Sequence, residues 1–201
     1  MKWAVVSRIK TQSFILASAS PRRKELLQKA GYKFDIAVSD VDESKIPADG
    51  LTSAEFACKA ALAKAKDVAE KFPDKLIVAA DTVVDYNGQI IGKPDSAKHA
   101  EEITRKLFSR PHRVITGIAI IKRNAGLEIV DCDETIVYPK KLTEKQIAEH
   151  IKSETWRDKA GAYGIQEGAD KFIEKIEGSE TNVMGLSMEL LVKMLDGTTL
   201  P

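Results

Sequence analysis

Short apolar runs alternate with amphipathic stretches along most of the chain. The runs "FILA" and "LIVAAD" predict strands, the second a central strand covered on both faces. "HRVITGIAI" begins the first of two long strands joined at Asn124–Gly126, and Asn87 followed by Gly88 predicts a hairpin turn. Helical periodicity separates these strands, most strongly in the Ala-rich segment 51–72, with Ser53 as its expected N-cap. The mixture predicts an α/β fold, a mixed sheet with some antiparallel pairing and flanking helices.

The composition is that of an ordinary globular protein and predicts a single domain over residues 1–201. The 31 basic and 30 acidic residues leave a net charge of +1, which disfavours a general binder of nucleic acid or membrane surfaces. No apolar run approaches the ~20 residues of a membrane span, and no signal-peptide pattern is present. Two cysteines are too few for a disulfide scaffold, so a cytoplasmic protein is expected.

The segment "SASPRRKELL" places cations where a helix disfavours them. Ser20 is the expected N-cap and Pro21 the first helical residue, so the first turn carries three positive charges that oppose the helix dipole. The three cations are Arg22, Arg23 and Lys24. Backbone N–H groups, the Ser18 hydroxyl and two guanidinium groups together are typical of a polyphosphate site. The alternative is a set of solvated cations paired with an acid such as Glu25.

Acidic residues supply a second candidate cluster. Asp81 is predicted at the end of the "LIVAAD" strand, where α/β proteins place their chemistry, although a strand-end cap is the alternative. Glu43 lies in an acidic loop and gains meaning only near Asp81, because two carboxylates with phosphate oxygens suit Mg²⁺ or Mn²⁺. Lys93 follows the hairpin in "GKP", but the spacing and Pro94 exclude a P-loop.

Other chemistries lose support from the residue spacing. The three histidines are scattered and lack the spacing of zinc ligands. "GLSME" lacks the closing glycine of a nucleophile elbow, and "GAYGIQEG" does not match a dinucleotide-binding fingerprint. A covalent hydrolase and a dinucleotide dehydrogenase are therefore disfavoured.

Five motifs in one order, "LASASPRRKELL", "AADTVV", "GKP", "HRVITGIAI" and "DKAGAYGIQ", resemble the Maf family of nucleotide pyrophosphatases. The resemblance runs from about Phe14 to Leu195. It implies an α/β fold related to inosine triphosphate pyrophosphatases, with a cleft between two lobes, and a homodimer. It also implies cleavage of nucleoside triphosphates between the α and β phosphates with a divalent cation.

The resemblance implies roles for individual residues. The substrate-binding set is Ser18, Arg22, Arg23, Thr82 and Gln166. The catalytic set is Glu43, Lys64, Asp81 and Lys93, with Asp81 accepting a proton from the attacking water. Glu43 and Asp81 are the expected metal ligands, and Lys64 and Lys93 are expected to face the cleft and the phosphates.

The preferred base follows from the same resemblance. Arg22, Thr82 and Gln166 match members that prefer dTTP and UTP, and the Gln166 amide suits the O4 and N3–H edge of uracil or thymine. Glu167 and an extra residue near Trp156 depart from the family pattern, which leaves another base such as 7-methylguanine open. A nucleotide-binding regulator of cell division without useful turnover is the alternative from a different class.

Overall fold

A computed structural model describes residues 13–157, 159–164 and 172–197, which form a mixed seven-stranded sheet with helices packed on both faces. The strands are β1 Phe14–Leu16, β2 Phe34–Ile36, β3 Ile77–Tyr86, β4 Gln89–Ile91, β5 His112–Lys122, β6 Leu127–Pro139 and β7 Ile173–Glu177. The helices are α1 Pro21–Lys29, α2 Ser53–Lys71, α3 Ala97–Leu107, α4 Glu144–Lys152, α5 Glu180–Val183 and α6 Met188–Asp196. None of the helices in these ranges is long and apolar enough to cross a membrane.

The strand order is β2-β1-β3-β5-β6-β7, with β4 also paired to β3. β1 is parallel to β2 and β3, and the other pairings are antiparallel. This arrangement confirms the predicted α/β fold, the hairpin at Asn87 and Gly88, and the connection at Asn124–Gly126. Strand β2 is only three residues long, and Glu43 lies beyond it in a 3₁₀ turn, Glu43–Lys45.

The central strand β3 does not end at Asp81, contrary to the sequence expectation, but continues to Tyr86. Its neighbour on one side changes along its length. β1 pairs with β3 only as far as Val78, and β4 joins from Val84 onward. Within the described sheet, residues 79–83 therefore have no strand beside them on that side, and a gap opens at Asp81.

Alternation of side chains sends the residues of β3 to two different cores. Val78 and Ala80 pack with Leu27 of α1 and Leu191 of α6 on one face. Ile77 and Ala79 pack on the other face against α2. Residues of this face in α2 are Ala61, Ala65, Val68 and Ala69. Consecutive strand residues point to opposite faces, so Asp81 faces α2 and Thr82 faces the α1 and α6 side.

Helix α2 is held tightly against the sheet at its N-terminal half. A Cβ atom on Gly117 would lie 2.4 Å from the Ala57 carbonyl oxygen, so only glycine allows this approach. Gly117 is the β5 partner of Asp81. The close contact therefore brings α2, and with it Lys64, over the gap at Asp81.

The N-cap of α2 is Thr52 rather than the predicted Ser53. The Thr52 hydroxyl accepts from the Glu55 backbone N–H, and the Glu55 carboxylate accepts from the Thr52 backbone N–H, which forms a capping box. Ser53 instead donates its hydroxyl proton to the buried Asp85 carboxylate. Ser53 is thus the first helical residue and fixes the start of α2 to β3.

The buried His112 side chain makes stability depend on pH. Its Nε2 atom lies 2.6 Å from the Tyr163 hydroxyl, and burial lowers its pKa to about 4. Between the ordinary pKa of about 6.5 and this value the unfolded chain binds more protons, so stability falls as the pH falls. We expect a loss of about 2 kcal/mol from this site between pH 7 and pH 5 in urea unfolding.

His112→Gln is expected to remove most of that loss, because the variant has no proton to take up at this position. His99→Gln is the matched control, since His99 lies on the exposed side of α3 beside Asp95. An acid-induced loss that is equal in His112→Gln and the unmodified protein would contradict the assignment to His112.

Candidate active site

A cleft of about 620 Å³ opens at the gap in the sheet beside β3. Both Asp81 and Thr82 line it, although their side chains leave opposite faces of the strand. The gap between β1 and β4 permits this, because the cleft continues around the uncovered edge of β3. One cleft therefore has a charged wall on the Asp81 face and a different wall on the Thr82 face.

The charged wall is a chain of alternating lysines and carboxylates. Lys64 Nζ lies 2.6 Å from Asp81 Oδ1 and 2.6 Å from Glu43 Oε1. Lys93 Nζ lies 3.5 Å from the other Glu43 oxygen. Burial opposes ionisation of Glu43, but the hydrogen bond and charge of Lys64, with help from Lys93, lower its pKa below the ordinary value. All four predicted catalytic residues therefore meet in the cleft.

The N-terminus of α1 forms the floor of the cleft. Ser20 is the N-cap and accepts from the Arg23 backbone N–H, as the sequence predicted. The Ser18 hydroxyl accepts from the Ser20 N–H, which tightens the approach to the helix. Arg22 and Arg23 both line the cleft, so cationic side chains and the N–H groups of the helix start lie together there, the combination that the sequence predicted for a polyphosphate site.

Arg23 is held more firmly than its position in an exposed first turn suggested. Its Nε donates to the Gly185 carbonyl at 2.7 Å, and its two terminal nitrogens donate to Ser18 Oγ at 3.0 Å and Thr82 Oγ1 at 3.1 Å. Desolvation lowers the pKa of Arg23, while the charges of Asp81 and Glu43 oppose that shift. Arg23 thus joins the α1 loop, β3 and the segment after α5.

The wall on the Thr82 face is largely apolar. Thr82 and Val84 of β3 pair with Thr116 and Val114 of β5, so these four side chains share one face. Val84, Val114, Tyr163 and Val183 are among the apolar residues that line the cleft on this side. The arrangement offers an anion site and an apolar surface within one cleft, as a nucleotide requires.

Lys159, which was not predicted as a site residue, also lines the cleft. Lys159 is buried, and its ammonium group donates to the Thr155 carbonyl. A Cβ atom on Gly164 would lie 2.9 Å from Lys159 Cε and 3.4 Å from an Arg22 terminal nitrogen. Gly164 therefore allows two cations to converge. Lys159 lies in the glycine-rich segment "DKAGAYG", whose spacing is the only hint in the sequence. Only the three-dimensional structure shows that its lysine lines the cleft.

Two predictions from the sequence concern residues linked to the choice of base. Gln166, expected to read the base, and the neighbouring Glu167 lie outside the described residues. Trp156, associated with the extra residue, is 2% exposed and donates its indole N–H to the Ile151 carbonyl. It packs in the core with α3, so its direct role is structural.

The carboxylates of the cleft are the candidate ligands for a metal ion. Across the described ranges there is no group of three or more His, Cys, Asp and Glu residues arranged to hold a metal. Glu43 and Asp81 nevertheless converge on one point, the Nζ atom of Lys64. Two converging carboxylates at an open cleft suit a hard divalent cation that draws its other ligands from water and phosphate oxygens.

A model of the Maf-like protein family matches residues 13–198. A dTTP/UTP pyrophosphatase from Alkaliphilus oremlandii is 46% identical over 176 residues, covering 87% of this chain and 90% of that protein. Another from Alkaliphilus metalliredigens is 45% identical, covering 92% and 95%. The Ham1 protein of Staphylococcus aureus, a solved structure, covers 92% of this chain and 99% of its own with a TM-score of 0.53 and 15% identity. That last likeness shows the fold.

Proposed function

We propose, because the chain belongs to the family of Maf-like proteins, that it hydrolyses nucleoside triphosphates, dTTP and UTP above others, to the monophosphate and pyrophosphate. The observation that carries the proposal is the meeting of the α1 N-terminus with Lys64, Glu43 and Asp81 in one cleft. Binding of a polyphosphate needs the cations and N–H groups at the α1 N-terminus, and its hydrolysis needs the lysine and the two carboxylates.

The cations of the cleft neutralise the substrate. A nucleoside triphosphate carries about four negative charges, which repel an incoming hydroxide unless the protein offsets them. Arg22, Arg23 and the α1 N–H groups are placed for the phosphates, and Lys64 and Lys93 add charge on the Asp81 face. The Ser18 hydroxyl accepts a hydrogen bond from Arg23 and lies beside the same helix N-terminus.

Asp81 is the proposed general base. Water attacks a phosphorus of the α–β anhydride and its proton passes to the Asp81 carboxylate, while the bond to the departing phosphate oxygen breaks. Lys64, 2.6 Å from Asp81, keeps the carboxylate in place on the cleft wall. Gln166 is the proposed reader of the base, together with Thr82.

Glu43 and Asp81 would hold a divalent cation, Mg²⁺ or Mn²⁺. The bound ion would lower the pKa of water and offset phosphate charge. Both carboxylates contact Lys64 Nζ, so they lie close enough together to share a cation through their other oxygens, and this closeness supports the assignment.

The proposal also covers a cytoplasmic homodimer formed by a single-domain chain. Ile36, the last residue of the edge strand β2, is 45% exposed. Large apolar side chains at an uncovered edge favour contact with a second copy. A molecular mass equal to that of one chain, measured by light scattering on the purified protein, would contradict the homodimer.

The test of function is pyrophosphate release from a panel of nucleotides with Mg²⁺ or Mn²⁺. The panel is dTTP, UTP, CTP, 7-methyl-GTP, 5-methyl-UTP and ITP. We expect dTTP and UTP to react fastest and EDTA to abolish release, with activity restored by excess Mg²⁺. Full activity in EDTA would contradict the metal requirement.

Other results of this nucleotide panel would support a different substrate or a different function. Faster release from 7-methyl-GTP or ITP would keep the chemistry and change the base, with Glu167 the first residue to replace. Measurable nucleotide binding without release from any substrate would favour a regulatory protein instead.

A further inference from the structure

We infer that Thr116 is a positioning residue for base selection, because it fixes the Thr82 hydroxyl as a hydrogen-bond acceptor toward the cleft. This inference rests on the proposed function and names what selects its substrate. Thr116 lies on β5, directly opposite Thr82 on β3. Its side chain is fully buried, so it acts through Thr82 and does not touch the nucleotide.

The direction of the hydrogen bonds follows from what each group can donate. Thr116 Oγ1 lies 3.1 Å from the Asn182 carbonyl oxygen, which only accepts, so Thr116 gives its single proton there. Thr82 Oγ1 lies 2.9 Å from Thr116 Oγ1, and its own proton therefore goes to Thr116. The Gly185 carbonyl, 3.3 Å from Thr82, is a further acceptor on the protein side.

The acceptor at the end of this chain is itself fixed. Asn182 is fully buried, and its side-chain amide donates to the Val114 carbonyl and to Thr135 Oγ1, both at 2.9 Å. Its backbone N–H donates to Ser179 Oγ. These bonds hold the Asn182 carbonyl in place, so the proton of Thr116 has a defined target.

Thr82 consequently presents an acceptor to the cleft. Its oxygen accepts one hydrogen bond, 3.1 Å long, from Arg23, and its proton is directed to Thr116. A hydroxyl oxygen has two acceptor lone pairs, so one remains available to a ligand. Thr82 lines the cleft, and a ligand group that contacts this lone pair must be a hydrogen-bond donor.

The base is the part of the nucleotide that fits beside Thr82. Val84, Val114 and Tyr163 on the same side form an apolar surface suited to a planar ring. Uracil and thymine carry a donor at N3–H, whereas N3 of cytosine is an acceptor. Two acceptors facing each other leave both unpaired, so the Thr82 lone pair favours uracil and thymine and disfavours cytosine.

The test compares kcat/KM for UTP, CTP and N3-methyl-UTP in the unmodified protein, Thr116→Val and Thr116→Ser. Valine keeps the shape of threonine and removes the hydroxyl, so the Thr82 proton loses its acceptor at 2.9 Å and is shared between the Gly185 carbonyl, at 3.3 Å, and the cleft. We expect the unmodified protein to prefer UTP over both other nucleotides by about tenfold or more, the effect of one hydrogen bond. Thr116→Val is expected to lower the UTP:CTP ratio several-fold, because the Gly185 carbonyl retains part of the Thr82 proton, and Thr116→Ser is expected to keep the ratio of the unmodified protein.

A purely structural role predicts a different pattern. Equal losses of kcat/KM for UTP and CTP in Thr116→Val, at an unchanged ratio, would overturn the inference. N3-methyl-UTP tests it in the unmodified protein even where Thr116→Val does not fold, because equal turnover of UTP and its N3-methyl analogue removes the need for an N3–H donor. Absence of release from every nucleotide by the unmodified protein would instead overturn the proposed function.

Discussion

Asp81→Asn is expected to lower kcat for pyrophosphate release by about a thousandfold, with nucleotide affinity within a few-fold of the unmodified protein. The amide cannot take up a proton from the attacking water. Its oxygen can still accept the hydrogen bond that Lys64 donates at 2.6 Å. The contact between α2 and β3 is therefore retained, and the loss falls on the chemical step.

Asp85→Asn is the matched control, because Asp85 lies on the same strand and face four residues further on. Asp85 is buried and bonded to Ser53 and Arg113, outside the cleft. We expect this control to lose stability in urea unfolding and to keep kcat within a few-fold. Steady-state kinetics with dTTP, and calorimetric nucleotide affinity, separate the two variants. A kcat near normal in Asp81→Asn would remove Asp81 as the base.

The fold could be predicted mainly where local signals decide the backbone. Pro21 after Ser20 gave the start of α1, because capping needs only neighbouring residues. Asn87 and Gly88 adopt positive φ values of 54° and 79°, which their residue types allow at a hairpin turn. The prediction that β3 ends at Asp81 was wrong. It relied on the rule that a charge after an apolar run usually marks the end of a strand. Here Lys64, distant in sequence, pairs the charge and lets β3 continue.

The site could be predicted as a set of residues but not as a geometry. Cations at the wrong end of a helix are visible in the sequence, since the helix dipole makes them costly. The bond from Arg23 to the Gly185 carbonyl joins residues 162 positions apart, and no local pattern reports it. The burial of Thr116 behind Thr82 depends on the register of β3 and β5, which periodicity does not fix.

Arg23→Lys is expected to lower kcat/KM about a hundredfold and to destabilise the protein, the second-largest effect we expect after that at Asp81. A guanidinium group donates in three directions here, to Gly185, Ser18 and Thr82. A lysine ammonium is a compact point charge on a flexible stem and cannot reproduce that planar fork. The charge remains, so the loss reports the geometry of the fork.

Arg22→Lys separates charge from geometry in the neighbouring residue. Among the described residues the Arg22 side chain has no hydrogen-bond partner, although it lines the cleft. A lysine there keeps a phosphate-binding charge, so we expect about a tenfold rise in KM, little change in kcat and an unchanged melting temperature. Arg23→Lys should lower both kcat/KM and the melting temperature, because the fork also ties α1 to β3 and to the segment after α5. Equal kinetic and thermal effects in the two variants would show that both arginines act as charges alone, and that the fork at Arg23 does not position the site.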